Sequence, residues 1–354
     1  MRQNNQRLIF LDWLRIFSFI SVLVGHKFIN QLQLLSNKES IHESLRVFLK
    51  LSVSLCSGGA AGVVVFFLVS GYIITYVLQT QNSFEFLIKR IFRIYPLYIF
   101  AVLLQTVLLN LIEHVPVNLH VLIPQLLLIG DFFHVPLTLN QVEWTLRIEI
   151  LFYLLMFTIH YLKIMDSYKF LLPWILVFMT LLMNCLPLTP GSDFWDYGYL
   201  NIYMPFLFLG VMFFLYEKRQ ITFTFLFSFS CLVYLQFWHL ITLYQPSWTN
   251  SHYAVLSLCL FIILWSSRAF LSSNALILFF SELTYSVYLF HNWLFDRIKA
   301  LPIINNDFYA LIVLILICAA FVRLIERPGI VLGYNVYNYL RSIKKPVNTL
   351  VKNY

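Results

Sequence analysis

Apolar residues in this chain gather into long runs separated by short polar stretches. Ten of these runs have roughly the length a helix needs to cross a bilayer, about 20 residues. They are Leu8–Ile29, Ala61–Gln79, Tyr95–Glu113, Trp144–Leu162, Lys169–Pro187, Tyr199–Tyr216, Thr222–Leu243, Tyr253–Ser267, Ala275–Asp296 and Phe308–Glu326. The eighth is short, which points to tilt or extension. The stretch Leu119–Ile129 is too short to span and reads as an interfacial or re-entrant helix. No repeat, low-complexity linker or polar block interrupts the series. The pattern predicts an all-α, polytopic membrane bundle of about ten transmembrane helices, a single integral-membrane domain over residues 1–354 with no fused soluble domain.

Composition agrees. Of the 354 residues, 60% are hydrophobic and 11% charged, whereas soluble domains carry about a quarter of their residues charged. The net charge of +8 is topological, because Lys and Arg collect in cytoplasmic loops. No basic, aromatic-rich surface outside the runs suggests a nucleic-acid partner. With ten spans and the N-terminus inside, sixteen of the 24 Lys and Arg fall on the side of the termini and six on the other. The expected topology therefore has both termini cytoplasmic. The five cysteines show no framework spacing and read as small apolar fillers.

The chemistry lies where polar residues break the apolar pattern. Arg15 and His26 share the first run. Eleven residues place them about 16 Å apart along a helix and within roughly 20° in rotation, on one face. An ionisable group inside a span is costly and marks function by default. Arg90 and Arg93, in KRIFRIYP, are one turn apart near the expected cytoplasmic side. Their planar guanidinium groups suit phosphate recognition, and membrane anchoring is the simpler use of such a pair. Pro96 reads as the start of the third span.

Three further acid–base groups fall at similar expected depth near the outer side: His26, Glu149 in EWTLRIEILFY, and His291 in LTYSVYLFHN. Arg147 lies on a different helix face from Glu149, so Glu149 is expected to look across to another helix, with a histidine the natural candidate. Such a pair could hold one imidazole tautomer for acid–base work or simply clamp helices together. Ser70–Gly71, in FFLVSGY, would permit close helix contact or leave room for a narrow ligand chain. LIERPG, with Glu326 and Arg327, reads as a helix end before Pro328.

These residues together resemble the integral-membrane acyltransferase-3 family, which includes nodulation-factor and bacterial polysaccharide O-acetyltransferases. The resemblance is carried by LDWLRIFSFISVLVGH, FFLVSGY, KRIFRIYP, WTLRIEILFY, YSVYLFH and the closing IERP, in that order along nearly the whole chain. It implies an acyl-CoA donor, usually acetyl-CoA, used as a co-substrate with no bound cofactor and no metal. It implies a glycan or glycolipid hydroxyl as acceptor and the bacterial cytoplasmic membrane as location. Carried over, Arg15, Arg90 and Arg93 would serve the donor, with Ser70–Gly71 beside its arm. His26 would be the catalytic histidine, with Glu149 or His291 orienting or reprotonating it. Arg147 departs from the family pattern, where a neutral residue is more usual. Lacking the periplasmic hydrolase domain fused to some relatives, the chain would act alone or pass the acyl group on. The competing class is a transporter or flippase for a lipid-linked sugar, with intramembrane His and Glu relaying protons.

Overall fold

A computed structural model of the chain describes residues 8–167, 170–191, 197–247, 252–304 and 306–343. Among these residues the structure is helical, with no strand. The first half holds α1 (Ile9–Lys27), α2 (Ile29–Ser36), α3 (Glu43–Cys56), α4 (Ala60–Leu78), α5 (Ser83–Glu113), α6 (Leu119–Leu126), α7 (Trp144–Tyr161) and α8 (Ile164–Ser167). The second holds α9 (Leu171–Cys185), α10 (Tyr199–Glu217), α11 (Phe223–Tyr244), α12 (Tyr253–Ser266), α13 (Ala275–Phe290), α14 (Trp293–Lys299), α15 (Asp307–Phe321) and α16 (Arg327–Ile343). Six helical stretches are long and apolar enough to cross a membrane: Ile9–Lys27, Glu43–Leu78, Ser83–Glu113, Tyr199–Glu217, Phe223–Tyr244 and Asp307–Ile343. Leu171–Cys185, Tyr253–Ser266 and Ala275–Phe290 are shorter apolar helices.

Several boundaries differ from the expectation, each for a local reason. The stretch between the first two apolar runs, Leu8–Ile29 and Ala61–Gln79, contains α2 and α3, and α3 runs through the turn Ser57–Gly59 into α4. Pro96 does not start a helix. It lies inside α5, which begins at Ser83 with Asn82 accepting a hydrogen bond from the Glu85 amide at 2.9 Å. Neighbouring helices make such an internal proline tolerable. Pro328 does not end a helix either. A turn of π-helix over Val322–Glu326 leads directly into α16. The run Ala275–Asp296 is broken, with α13 stopping at Phe290 and α14 starting at Trp293.

The centre of the bundle is the pair α4 and α10, both almost wholly buried. They meet backbone to backbone. A Cβ on Gly71 would lie 1.9 Å from the Leu207 carbonyl oxygen, and one on Gly210 would lie 2.2 Å from the Leu68 carbonyl oxygen. Small residues at such crossings are what packing in lipid uses in place of a hydrophobic driving force. The α1–α4 contact follows the same rule. Gly62 faces the Ser18 carbonyl, and its amide donates to Ser21 Oγ at 3.1 Å. Gly25 packs directly on Cys56 and Gly59. Gly58 and Gly59, at φ +61° and +70°, make the tight α3–α4 turn that lets α1 approach. At the other end of the bundle, Gly329 and Gly333 of α16 seat on Phe92 and Pro96 of α5.

Gly71→Val is expected to destabilise the detergent-solubilised protein by about 2–3 kcal/mol, because overpacked cores cost that much. Gly58→Ala, where nothing lies within 4 Å of the added carbon, is expected to cost about 1 kcal/mol from its left-handed backbone alone. Thermal unfolding of both variants beside the wild type reads the contrast. Equal midpoints would refute the close-packing account of α4 and α10.

Candidate active site

Two polar clusters lie at different levels of the bundle. The first forms where α1 ends and α13 breaks. The His26 and His291 rings lie 5.3 Å apart between centroids, tilted by 38°. The break at the end of α13 frees the His291 ring to bond backwards: Nδ1 lies 2.7 Å from the Tyr288 carbonyl oxygen. A carbonyl can only accept, so Nδ1 carries the hydrogen and Nε2 of the neutral ring is a bare lone pair. That buried Nε2 has no protein partner. His26, by contrast, is exposed into a cavity of about 420 Å³.

The cavity walls combine ring faces and amides. Trp144, Tyr203, Tyr253 and Tyr288 supply the rings, and Asn140, Gln141 and Asn292 the amides. Trp144 packs on Tyr203 at 5.1 Å, and the Tyr203 and Tyr253 hydroxyls meet at 3.0 Å. The Tyr288 hydroxyl donates to the Val142 carbonyl at 2.9 Å and accepts from Thr145 Oγ1 at 2.7 Å. The loop before α7 is held by Glu143, whose carboxylate accepts from the amides of Thr138 at 2.5 Å and Leu139 at 3.2 Å. Burial pushes the Glu143 carboxyl up from its ordinary range, and these amide donors pull against the shift. Salt bridges Lys27–Asp296 at 2.7 Å and Lys299–Asp307 at 2.6 Å strap the same end.

The second cluster is built around Glu149. The histidine partner expected for this residue is not the one it has. Glu149 lies one helical turn, about 6 Å, deeper than Thr145, which marks the level of Tyr288 and the histidines. Its Oε1 accepts from Ser70 Oγ at 3.0 Å and from the Tyr153 hydroxyl. Arg90 and Arg93 are close enough to act on its charge. Arg90 stacks against Phe86 at 5.6 Å and Tyr153 at 5.9 Å, and its Nε has no hydrogen-bond partner. Arg93 also faces Glu326, a buried carboxylate at the π-turn. Glu149 therefore joins Arg90, Arg93 and Ser70 in one cluster, apart from His26 and His291. Gly71, next to Ser70, faces α10 and not this cluster.

Arg15 lies on the stripe that leads to His26. It pairs with Asp12 at 3.7 Å, and Asp12 accepts from Ser281 Oγ of α13 at 2.6 Å. Between the clusters runs a slit of about 20 Å³, lined by Ser18 and Val22 of α1 and by Phe66, Thr145, Tyr285 and Tyr288. Its Val22 and Tyr288 also line the histidine cavity. The Tyr285 hydroxyl, at its other end, donates to the Ile94 carbonyl at 2.8 Å, next to Arg93. Arg147, whose counter-charge the sequence did not indicate, pairs with Asp131, which also accepts from the Tyr199 hydroxyl.

Sequence reasoning missed Asp131, Tyr288 and the amides of the cavity wall. Tyr288 carried a signal, its position three residues before His291, which puts it on the same face. Asp131 lies in irregular chain between α6 and α7, where no periodicity points to a partner. Among the described residues no three His, Cys, Asp or Glu side chains gather in a way that could hold a metal ion.

The chain belongs to the acyltransferase-3 family: the family model described as an acyltransferase domain matches residues 8–327. No curated protein and no solved structure matches the chain. Family and apolar helices together make it a membrane acyltransferase.

Leaving a buried acceptor without one of its donors costs about 1–3 kcal/mol. Tyr153→Phe and Ser70→Ala are each expected to lose that much stability. The double variant should lose more than either alone, because Glu149 then keeps no hydroxyl donor. Chemical unfolding in a fixed detergent measures this, and a pair of unchanged midpoints would remove Glu149 from its place as the cluster's anchor.

Proposed function

We propose that this protein is an O-acyltransferase that moves an acetyl group from cytoplasmic acetyl-CoA to a hydroxyl of a cell-envelope or exported glycan. The observation that carries the reading is the His26–His291 pair on the wall of a cavity lined by ring faces and amides. Aromatic faces pack on the apolar faces of sugar rings, and fixed amides hydrogen-bond their hydroxyls, the mix that small-ligand sites use for orientation. In this reading ten helices cross a bacterial cytoplasmic membrane, both termini are cytoplasmic, and the histidine end faces outward.

Arg90 and Arg93, with Arg15, would hold the phosphates of the donor. Glu149 would be a positioning residue, restraining the two α5 guanidinium groups through charge while Ser70 and Tyr153 restrain it. Gly71 would serve close packing. The pantetheine arm would thread the slit along α1. At about 20 Å³ the slit is closed to it, so Phe66 and Tyr288 would turn aside as the arm enters.

At the histidine end, His26 would act as general base. Its ring would donate to the bare Nε2 of His291, and that bond would fix the tautomer with a free nitrogen toward the acceptor. The acceptor hydroxyl oxygen attacks the thioester carbonyl carbon as His26 takes the hydroxyl proton. The carbon–sulfur bond then breaks, and the thiolate leaves with the proton returned by His26. Products are the acetyl ester and free coenzyme A.

Inside-out vesicles supplied with radiolabelled acetyl-CoA test this. The wild type is expected to release coenzyme A and to label a glycan or glycolipid fraction. His26→Ala should lower transfer at least a hundredfold, the usual worth of a general base, without weakening donor binding. Arg90→Ala should raise the acetyl-CoA concentration needed for half-maximal rate. Full transfer by correctly inserted His26→Ala would overturn the mechanism, and coenzyme A release by neither form would overturn the donor.

A further inference from the structure

Arg147 is the buried charge that acyl transfer leaves without a task. Its side chain is only 5% exposed. Nη1 serves Asp131, while Nε and Nη2 have no hydrogen-bond partner. A buried guanidinium with two adjacent donors unmet is costly. Those two donors form the edge that grips paired oxygens of a phosphate side-on.

Arg147 lines a crevice of about 430 Å³, separate from the histidine cavity. The rim of the crevice is apolar and points away from the bundle: Leu127, Phe132, Leu151 and Leu154 are all exposed large hydrophobic side chains. In a chain that spans a membrane, the Leu151 and Leu154 side of that rim, on α7, turns toward hydrocarbon, and Leu127 and Phe132, between α6 and α7, close its end. The polar residues Asp131, Arg147 and Tyr199 form the inner wall. Tyr199 packs at 5.4 Å on Trp144, and Trp144 lines the histidine cavity. One layer of aromatic rings therefore separates a lipid-facing crevice from the catalytic cavity.

We infer that this crevice seats a lipid whose head is joined through a phosphate. Its chain lies along Leu151 and Leu154, the Arg147 guanidinium swings from its enclosed position to present Nε and Nη2 to the phosphate oxygens, and its head reaches over the Trp144–Tyr199 wall into the histidine cavity. The acceptor is then a lipid-phosphate-linked sugar that enters sideways from the bilayer. The acceptor assignment rests on the acyltransferase reading; the lipid seat itself does not.

The test uses the full chain in phosphatidylcholine nanodiscs. The probe is a polyprenyl-phosphate monosaccharide carrying a photoactivatable diazirine on its chain, with the matching diazirine polyprenol as control. Cross-links from the probe are expected in segments 127–134 and 150–154. Leu151→Trp, which fills the crevice from its exposed side, should lower them at least fivefold. Arg147→Lys keeps the charge but loses the fork, and should lower phosphate-probe labelling at least threefold while leaving polyprenol labelling unchanged. Labelling unaffected by Leu151→Trp, spread evenly over lipid-facing helices, or equal for probe and polyprenol would overturn the proposal. Acetyl-CoA turnover is followed in parallel. Expected labelling with no turnover would uphold the seat and strike down only the acyl-transfer reading.

Discussion

A carboxylate deep in an apolar bundle has to be met by donors or opposite charge, and the geometry of this protein turns on how Glu149 is met. Its partners come from three helices: Ser70 from α4, Tyr153 from its own α7, and the Arg90–Arg93 pair from α5. Removing any one leaves the others under-compensated, because a low-dielectric interior offers no solvent to substitute. The arrangement therefore fixes the rotation of α7 and α5 about α4. Rotation of α7 in turn places Trp144 and Thr145 at the histidine cavity, one turn above. The basic cluster and the histidine cluster are thus held in register by one buried carboxyl group, though they do not touch.

The bundle treats its two kinds of contact differently. Where helices must stay put, glycine brings backbones together, as at Gly71–Gly210 and Gly25–Gly59. Where groups must act, side chains from separate helices converge on open space, as around the histidine cavity. His26 follows directly on Gly25, so it stands beside one of the closest backbone contacts. Its Cα is held by the packing of Gly25 on Cys56 and Gly59 at the turn between α3 and α4.

Much of the plan was legible in the sequence because a bilayer imposes simple rules on length and polarity. The apolar runs announced the helices, and the stripe from Arg15 to His26 announced the polar face of α1. The ionisable residues at similar expected depth included His26 and His291, whose rings lie 5.3 Å apart. The same reasoning paired Glu149 with a histidine, whereas it lies one turn further along α7 than Thr145 and meets Ser70 and Tyr153. Asp131 was illegible because irregular backbone has no period. The continuation past Pro328 was hidden for another reason: a π-turn absorbs the disruption, and nothing in LIERPG marks a π-turn in advance. Motif order along the chain identified the family better than any single residue, since each motif alone has a purely structural use.

The slit between the two clusters has a consequence for the membrane as a whole. A bundle with titratable groups at both ends and a polar stripe joining them would short-circuit a proton gradient if water filled the gap. At about 20 Å³ the slit holds at most a single molecule of water, and Phe19, Val22 and Phe66 line it. No continuous chain of hydrogen-bonded water fits along such a wall. As it stands, the slit offers no water-filled path for protons between the two clusters.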